Sequence, residues 1–105
     1  MKRAAPSAAG SPTRRTVERI QTGVRIEKRV LLVLKALAGA HDLTLGDLLE
    51  GIVLHAFEGK SPFGPESLAK IAALREVYGL ELTAEDSHLL TEGPRRRGTA
   101  EPGRR

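Results

Sequence analysis

Residues 19–26 read Arg19-Ile20-Gln21-Thr22-Gly23-Val24-Arg25-Ile26, and this stretch decides the fold. Ile20, Thr22, Val24 and Ile26 alternate with Arg19, Gln21, Gly23 and Arg25. A period of two, with β-branched side chains on one side and mostly polar ones on the other, predicts a half-buried strand. The period then changes. Val30, Val33, Leu34, Leu37 and Ala38 recur at helical spacing, with Leu31 widening the stripe, which predicts a helix from Glu27 to about His41. Glu27 falls in its first turn, where a carboxylate complements the helix dipole. Asp42 and Leu43 make the turn into a second helix that starts at Thr44. Thr44 and Asp47 have capping-box spacing. Leu45, Leu48, Leu49, Ile52, Val53, Ala56 and Phe57 form the apolar face, and Gly59 ends the helix. Gly46 and Gly51 each cost about 1 kcal/mol against Ala in a helix interior, so packing or a close approach must offset them.

Outward from this unit the signals are plainer. Two Pro and one Gly in residues 61–65 mark a connector. Pro65 opens a third helix to about Tyr78, with Leu68, Ile71, Ala72, Leu74, Arg75 and Tyr78 near one stripe, and Gly79 stops it. Thr83 and Asp86 repeat the capping-box spacing ahead of a short fourth helix holding Leu89 and Leu90. Both ends lack apolar periodicity and are rich in Pro, Gly and Arg, which predicts disorder. The organisation expected is a basic arm over 1–18, a folded unit over 19–59, a helical extension over 60–92 and a basic tail over 93–105.

With two Phe, one Tyr and no Trp, the core of this 105-residue chain is aliphatic. The absence of Cys removes disulfides and thiolate metal sites. No apolar run approaches the roughly 20 residues that span a bilayer. The Ala-, Pro-, Ser- and Gly-rich start lacks the apolar region of a secretory signal, so a cytoplasmic location is expected. The net charge is +4, unevenly spread. Residues 1–19 carry five Lys/Arg against one Asp/Glu, residues 93–105 carry the same, and residues 20–92 carry seven against eleven. Basic arms on an acidic body suit a polyanion such as nucleic acid, or serve simply as solubilising tails.

One strand without a second leaves its amides and carbonyls unpaired. The simplest partner is the same strand of a second copy, because two-fold symmetry makes that pairing antiparallel and isologous. A strand and two helices of about 40 residues also bury little apolar surface alone, and association is a usual remedy. The alternative is that the third and fourth helices cover the stripes within one chain, with residues 19–26 a linker.

A strand, a helix, a tight turn with a hydroxyl residue and a second helix resemble the ribbon-helix-helix family of dimeric repressors, the Arc and MetJ type. Residues 21–26 match the strand. Val30, Leu34, Leu37 and Ala38 match the core of the first helix. Thr44-Leu45-Gly46, then Leu48, Leu49, Ile52 and Val53, match the second. The resemblance covers residues 19–59. It implies a mainly α fold in which one N-terminal strand pairs across a homodimer. It also implies that Gln21, Gly23 and Arg25 face base edges in the major groove, with Arg19 at the backbone margin. Arg suits guanine O6 and N7, and Gln suits adenine N6 and N7. The backbone amides at Thr44, Leu45 and Gly46 would anchor a phosphate, as helix N-termini do. Gly23 departs from the pattern, since it offers no side chain for readout. The dimer core implied is Val24, Ile26, Val30, Leu34, Leu37, Leu48, Leu49, Ile52 and Val53.

Other chemistry has no constellation. His41, His55 and His88 are scattered, and no metal or catalytic motif accompanies them. No enzyme activity and no cofactor or metal are expected. Glu50 and Glu58 read as helix-surface acids. Leu68, Ile71, Leu74 and Tyr78 suit packing, or docking of a protein partner on residues 60–92. The function expected is sequence-specific binding of double-stranded DNA by a homodimer, as a cytoplasmic, nucleoid-associated transcriptional repressor of bacterial type. The alternative is a dimerisation and protein-interaction module of the same fold, of partition or antitoxin type.

Overall fold

A computed structural model of the protein describes residues 14–94. It is mainly helical, with α1 (Lys28–Ala40), α2 (Leu45–Phe57), α3 (Pro65–Tyr78) and a short 3-10 turn at Ala84–Asp86, and no strand among the described residues. Residues 1–13 of the basic arm and 95–105 of the basic tail lie outside the described residues.

Local chemistry sets each helix end. Glu27 stands just before α1 rather than in its first turn, and its side chain accepts from the Val30 amide at 2.9 Å. The carboxylate therefore both satisfies a free amide and faces the positive end of the helix dipole. At the other end Asp42 adopts a left-handed φ of 59°, and the Leu43 amide returns to the Ala38 carbonyl at 2.8 Å. Asp tolerates that conformation better than most side chains. The Thr44 hydroxyl accepts from the Asp47 amide at 3.0 Å and starts α2. Beyond α2, Gly59 takes φ 71° while the Lys60 amide reaches back to the His55 carbonyl at 2.8 Å. Gly79 repeats the arrangement after α3, with φ 68° and Leu80 bonded to Arg75 at 2.8 Å. Both glycines supply the positive φ that this helix stop requires.

The core centres on Leu37, only 1% exposed, with Ala38 and Leu48. Leu34, Ile52, Phe63, Ile71 and Leu74 pack against that centre. α1 is the middle element, packed more extensively on α3 than on α2. The extension over 60–92 thus shares one core with residues 28–57. Phe63, inside the expected connector, is part of it.

The fourth helix does not form. The Thr83 amide does bond the Asp86 carboxylate at 2.8 Å, but only the 3-10 turn follows. Ser87 turns to ψ 133°, His88 takes φ 68°, and Leu89 and Leu90 are exposed. A cap satisfies one turn; propagation needs burial, and these two leucines are exposed. At the other end, residues 14–27 have no regular secondary structure. Among the described residues, no backbone hydrogen bond involves residues 14–26.

Candidate nucleic-acid interface

Residues 18–24 run beside the start of α2 and, with Leu31 and Lys35 of α1, line an open groove. Arg19, Gln21 and Gly23 lie along it with Thr44, Leu45 and Gly46. The residues expected to read bases and those expected to hold phosphate therefore share one surface, apart from Arg25. Lys35 adds a cation that the sequence pattern did not single out; it reads there only as a polar position of a helix. The amides of Leu45 and Gly46 belong to the first turn of α2, where amides have no intrahelical partner. A Cβ built on Gly46 would meet only the Thr44 hydroxyl, at 3.9 Å, and one on Gly23 or Gly51 would meet nothing within 4 Å. Among the described residues, no close approach demands glycine at these three positions.

Arg19 is engaged more strongly than its marginal position suggested. Its Nε and Nη2 donate to the two Glu50 carboxylate oxygens, each at 2.8 Å, and Nη2 lies 3.4 Å from Asp47. Glu50, read from the sequence as a surface acid, fastens the N-terminal segment to α2. The hydrogen bond and the charge of Arg19 hold the Glu50 carboxyl below its ordinary value. Two carboxylates, Asp47 and Glu50, thereby stand beside the expected phosphate anchor, partly balanced by one guanidinium.

Arg25 lies away from that groove lining. Its Nε donates to Glu92 at 3.1 Å, and its Nη2 bonds the other oxygen of the same carboxylate. The pair spans 67 positions of sequence. Both side chains remain largely in solvent.

The expected dimer-core residues divide in two. Leu37 and Leu48 are buried within the single chain, and Leu34 and Ile52 pack against them. Ile26, Val30 and Leu49 are half-buried. Val24 is 72% exposed, and Val53 is exposed too. Ile20, at 81%, Leu54 and Phe57, also at 81%, extend the uncovered apolar surface. Val17, Leu49, Val53 and Leu54 line a second open groove beside Arg19. Among the described residues, packing therefore consumes the inner stripe of α1 and α2 and leaves the outer stripe of α2 and residues 19–25 exposed.

Among the described residues, no group of three or more His, Asp or Glu is arranged to hold a metal ion. His55 Nδ1 lies 2.7 Å from the Gly51 carbonyl, and His41 Nε2 lies 3.4 Å from Ser67. No described helix is long and apolar enough to cross a membrane. Set against protein-family models, curated proteins and solved structures, the chain matches none.

Proposed function

We propose that the chain acts as a homodimer on double-stranded DNA, pairing residues 19–26 of two copies into an antiparallel ribbon that enters the major groove. One observation carries this reading. Among the described residues the segment with strand alternation has no backbone hydrogen bond, and its apolar members Ile20 and Val24 are exposed. A second copy satisfies both deficits at once, supplying ladder bonds and covering Val24, Val53, Leu54 and Phe57. A two-stranded ribbon has the width of the major groove.

In this arrangement Gln21 and Arg25 of each subunit read bases, and Gly23 leaves a gap between them. Thr44, Leu45 and Gly46 present amides to a phosphate, with Lys35 nearby. The basic arms add charge that follows the duplex without sequence preference. The ribbon-helix-helix resemblance makes a transcriptional repressor, cytoplasmic and nucleoid-associated, the leading role, with no catalysis and no cofactor.

A second reading is a dimerisation and protein-interaction module, of partition or antitoxin type, without specific DNA readout. It draws support from the carboxylates of Asp47 and Glu50 at the α2 start and from the engagement of Arg25 by Glu92. Titration of duplex DNA separates the two. Selection from random duplexes should yield a two-fold symmetric site, and Arg25→Ala should weaken binding to it roughly five- to a hundred-fold while relaxing one base position per half-site. A loss equal on all sequences would assign Arg25 to phosphate. No duplex binding at low salt would leave the interaction module.

A further inference from the structure

The chain from Leu80 to Glu92 contains Glu81, Glu85, Asp86 and Glu92 and no Lys or Arg. Its path is directed. The packing of α3 on α1 brings Tyr78 to the start of α1, where Arg29 Nε donates to the Tyr78 carbonyl at 3.1 Å. Arg75 Nη2 then holds the Leu82 carbonyl at 2.8 Å, and the Thr83–Asp86 contact tightens the next turn. The segment is thereby returned to the end of the 19–26 stretch, and Glu92 meets Arg25 there.

The form of that meeting matters. Both nitrogens of the guanidinium fork engage the two oxygens of one carboxylate. A guanine edge offers the same fork two acceptors, O6 and N7, and a phosphate offers a similar pair. Arg25 cannot serve Glu92 and DNA together.

We propose that residues 80–92 are a built-in competitor for the reading arginine: Glu92 occupies the Arg25 fork in the free protein and is displaced when DNA binds. The inference rests on the DNA-binding reading above. Because the pair is exposed, its hold is weak and screened by salt, which makes it a threshold rather than a lock. The expected scale is about two- to five-fold in DNA affinity for each subunit.

The test is Glu92→Gln in the full chain, titrated with the selected duplex and with a random one at fixed salt. The variant should bind the selected duplex about two- to five-fold tighter per subunit. Its free form should show a shifted Arg25 Nε–H resonance. Glu85→Gln controls for the loss of one negative charge near the duplex. In an Arg25→Ala background, Glu92→Gln should gain no more than Glu85→Gln does. An equal gain with and without Arg25 would overturn the competition, as would binding unchanged by Glu92→Gln. Absence of binding by wild type and variant alike would instead remove the DNA reading and this inference with it.

Discussion

The two sides of α2 are built from the same aliphatic residues and end in opposite states. Leu48 and Ile52 turn inward to Leu37 and, through it, to Ile71, Leu74 and Phe63 of the extension. Val53, Leu54 and Phe57 are exposed, and so are Ile20 and Val24 of the N-terminal segment. The first side is completed within the chain. The second has the composition of a core and, among the described residues, lacks the second layer that a core needs. Apolar periodicity says that a face is to be covered; it does not say whether the cover is the same molecule or another. Here α3 answers for α1; in the dimer proposed above, a second copy would answer for α2 and the 19–26 stretch.

The largest effect should come from the completed side. Leu37→Ala removes the most buried large side chain among the described residues, and such deletions cost about 2–5 kcal/mol. For a small domain that is a large fraction of the whole stability. Urea unfolding should show this loss at dilute and concentrated protein alike, because the contacts lie within one chain. A loss well below 1 kcal/mol, or one that disappears at high concentration, would place Leu37 in the intermolecular layer and erase the contrast.

Val24→Pro probes the other side and should be smaller in stability but decisive for assembly. In the proposed dimer, proline would remove a ladder donor from the centre of the ribbon in both subunits. Because Val24 touches none of the internal core, the helices should persist by circular dichroism. The dimer should weaken about ten-fold or more by sedimentation equilibrium. A folded dimer of unchanged affinity would mean that residues 19–26 are not the pairing element.

What could be read in the sequence was local or periodic. Thr44, Gly59, Pro65 and Gly79 place α2 and α3 within a residue or two because each acts through the backbone next to it. Thr83 and Asp86 misled for the same reason: the cap is real, but one turn is all that it can stabilise without burial. The site was legible in part. Its groove gathers Arg19, Gln21, Gly23 and Thr44 to Gly46, as the strand–helix–helix order implies. The Arg19–Glu50 and Arg25–Glu92 pairs span 31 and 67 positions, so no periodicity or spacing carries them. Phe63 was hidden by its two neighbouring prolines, which mark a connector whatever the aromatic ring does.

The smallest effect concerns the fastening between the two sides. Arg19 ties the N-terminal segment to α2 through Glu50, and its charge and hydrogen bond lower the Glu50 pKa from an ordinary 4.5. A carboxyl whose folded pKa is depressed contributes stability that is fully present above its unfolded value. That contribution fades as pH falls through the lowered folded value. The fastening should therefore be intact from neutral pH down to about the ordinary carboxylate value and be lost only in stronger acid. Both groups are in solvent, so global stability should hardly register the change. Carbon-detected NMR of the Glu50 carboxyl should titrate below 4.5, with the Arg19 Nε–H resonance moving in step. In Glu50→Gln the Arg19 resonance should sit near its acid position at every pH. A Glu50 midpoint at its ordinary value, with Arg19 unresponsive, would detach the 19–26 segment from α2. The Arg25–Glu92 pair would then be the ion pair that still ties the 19–26 stretch to the rest of the described residues, and the contrast between the covered and uncovered sides of α2 would widen.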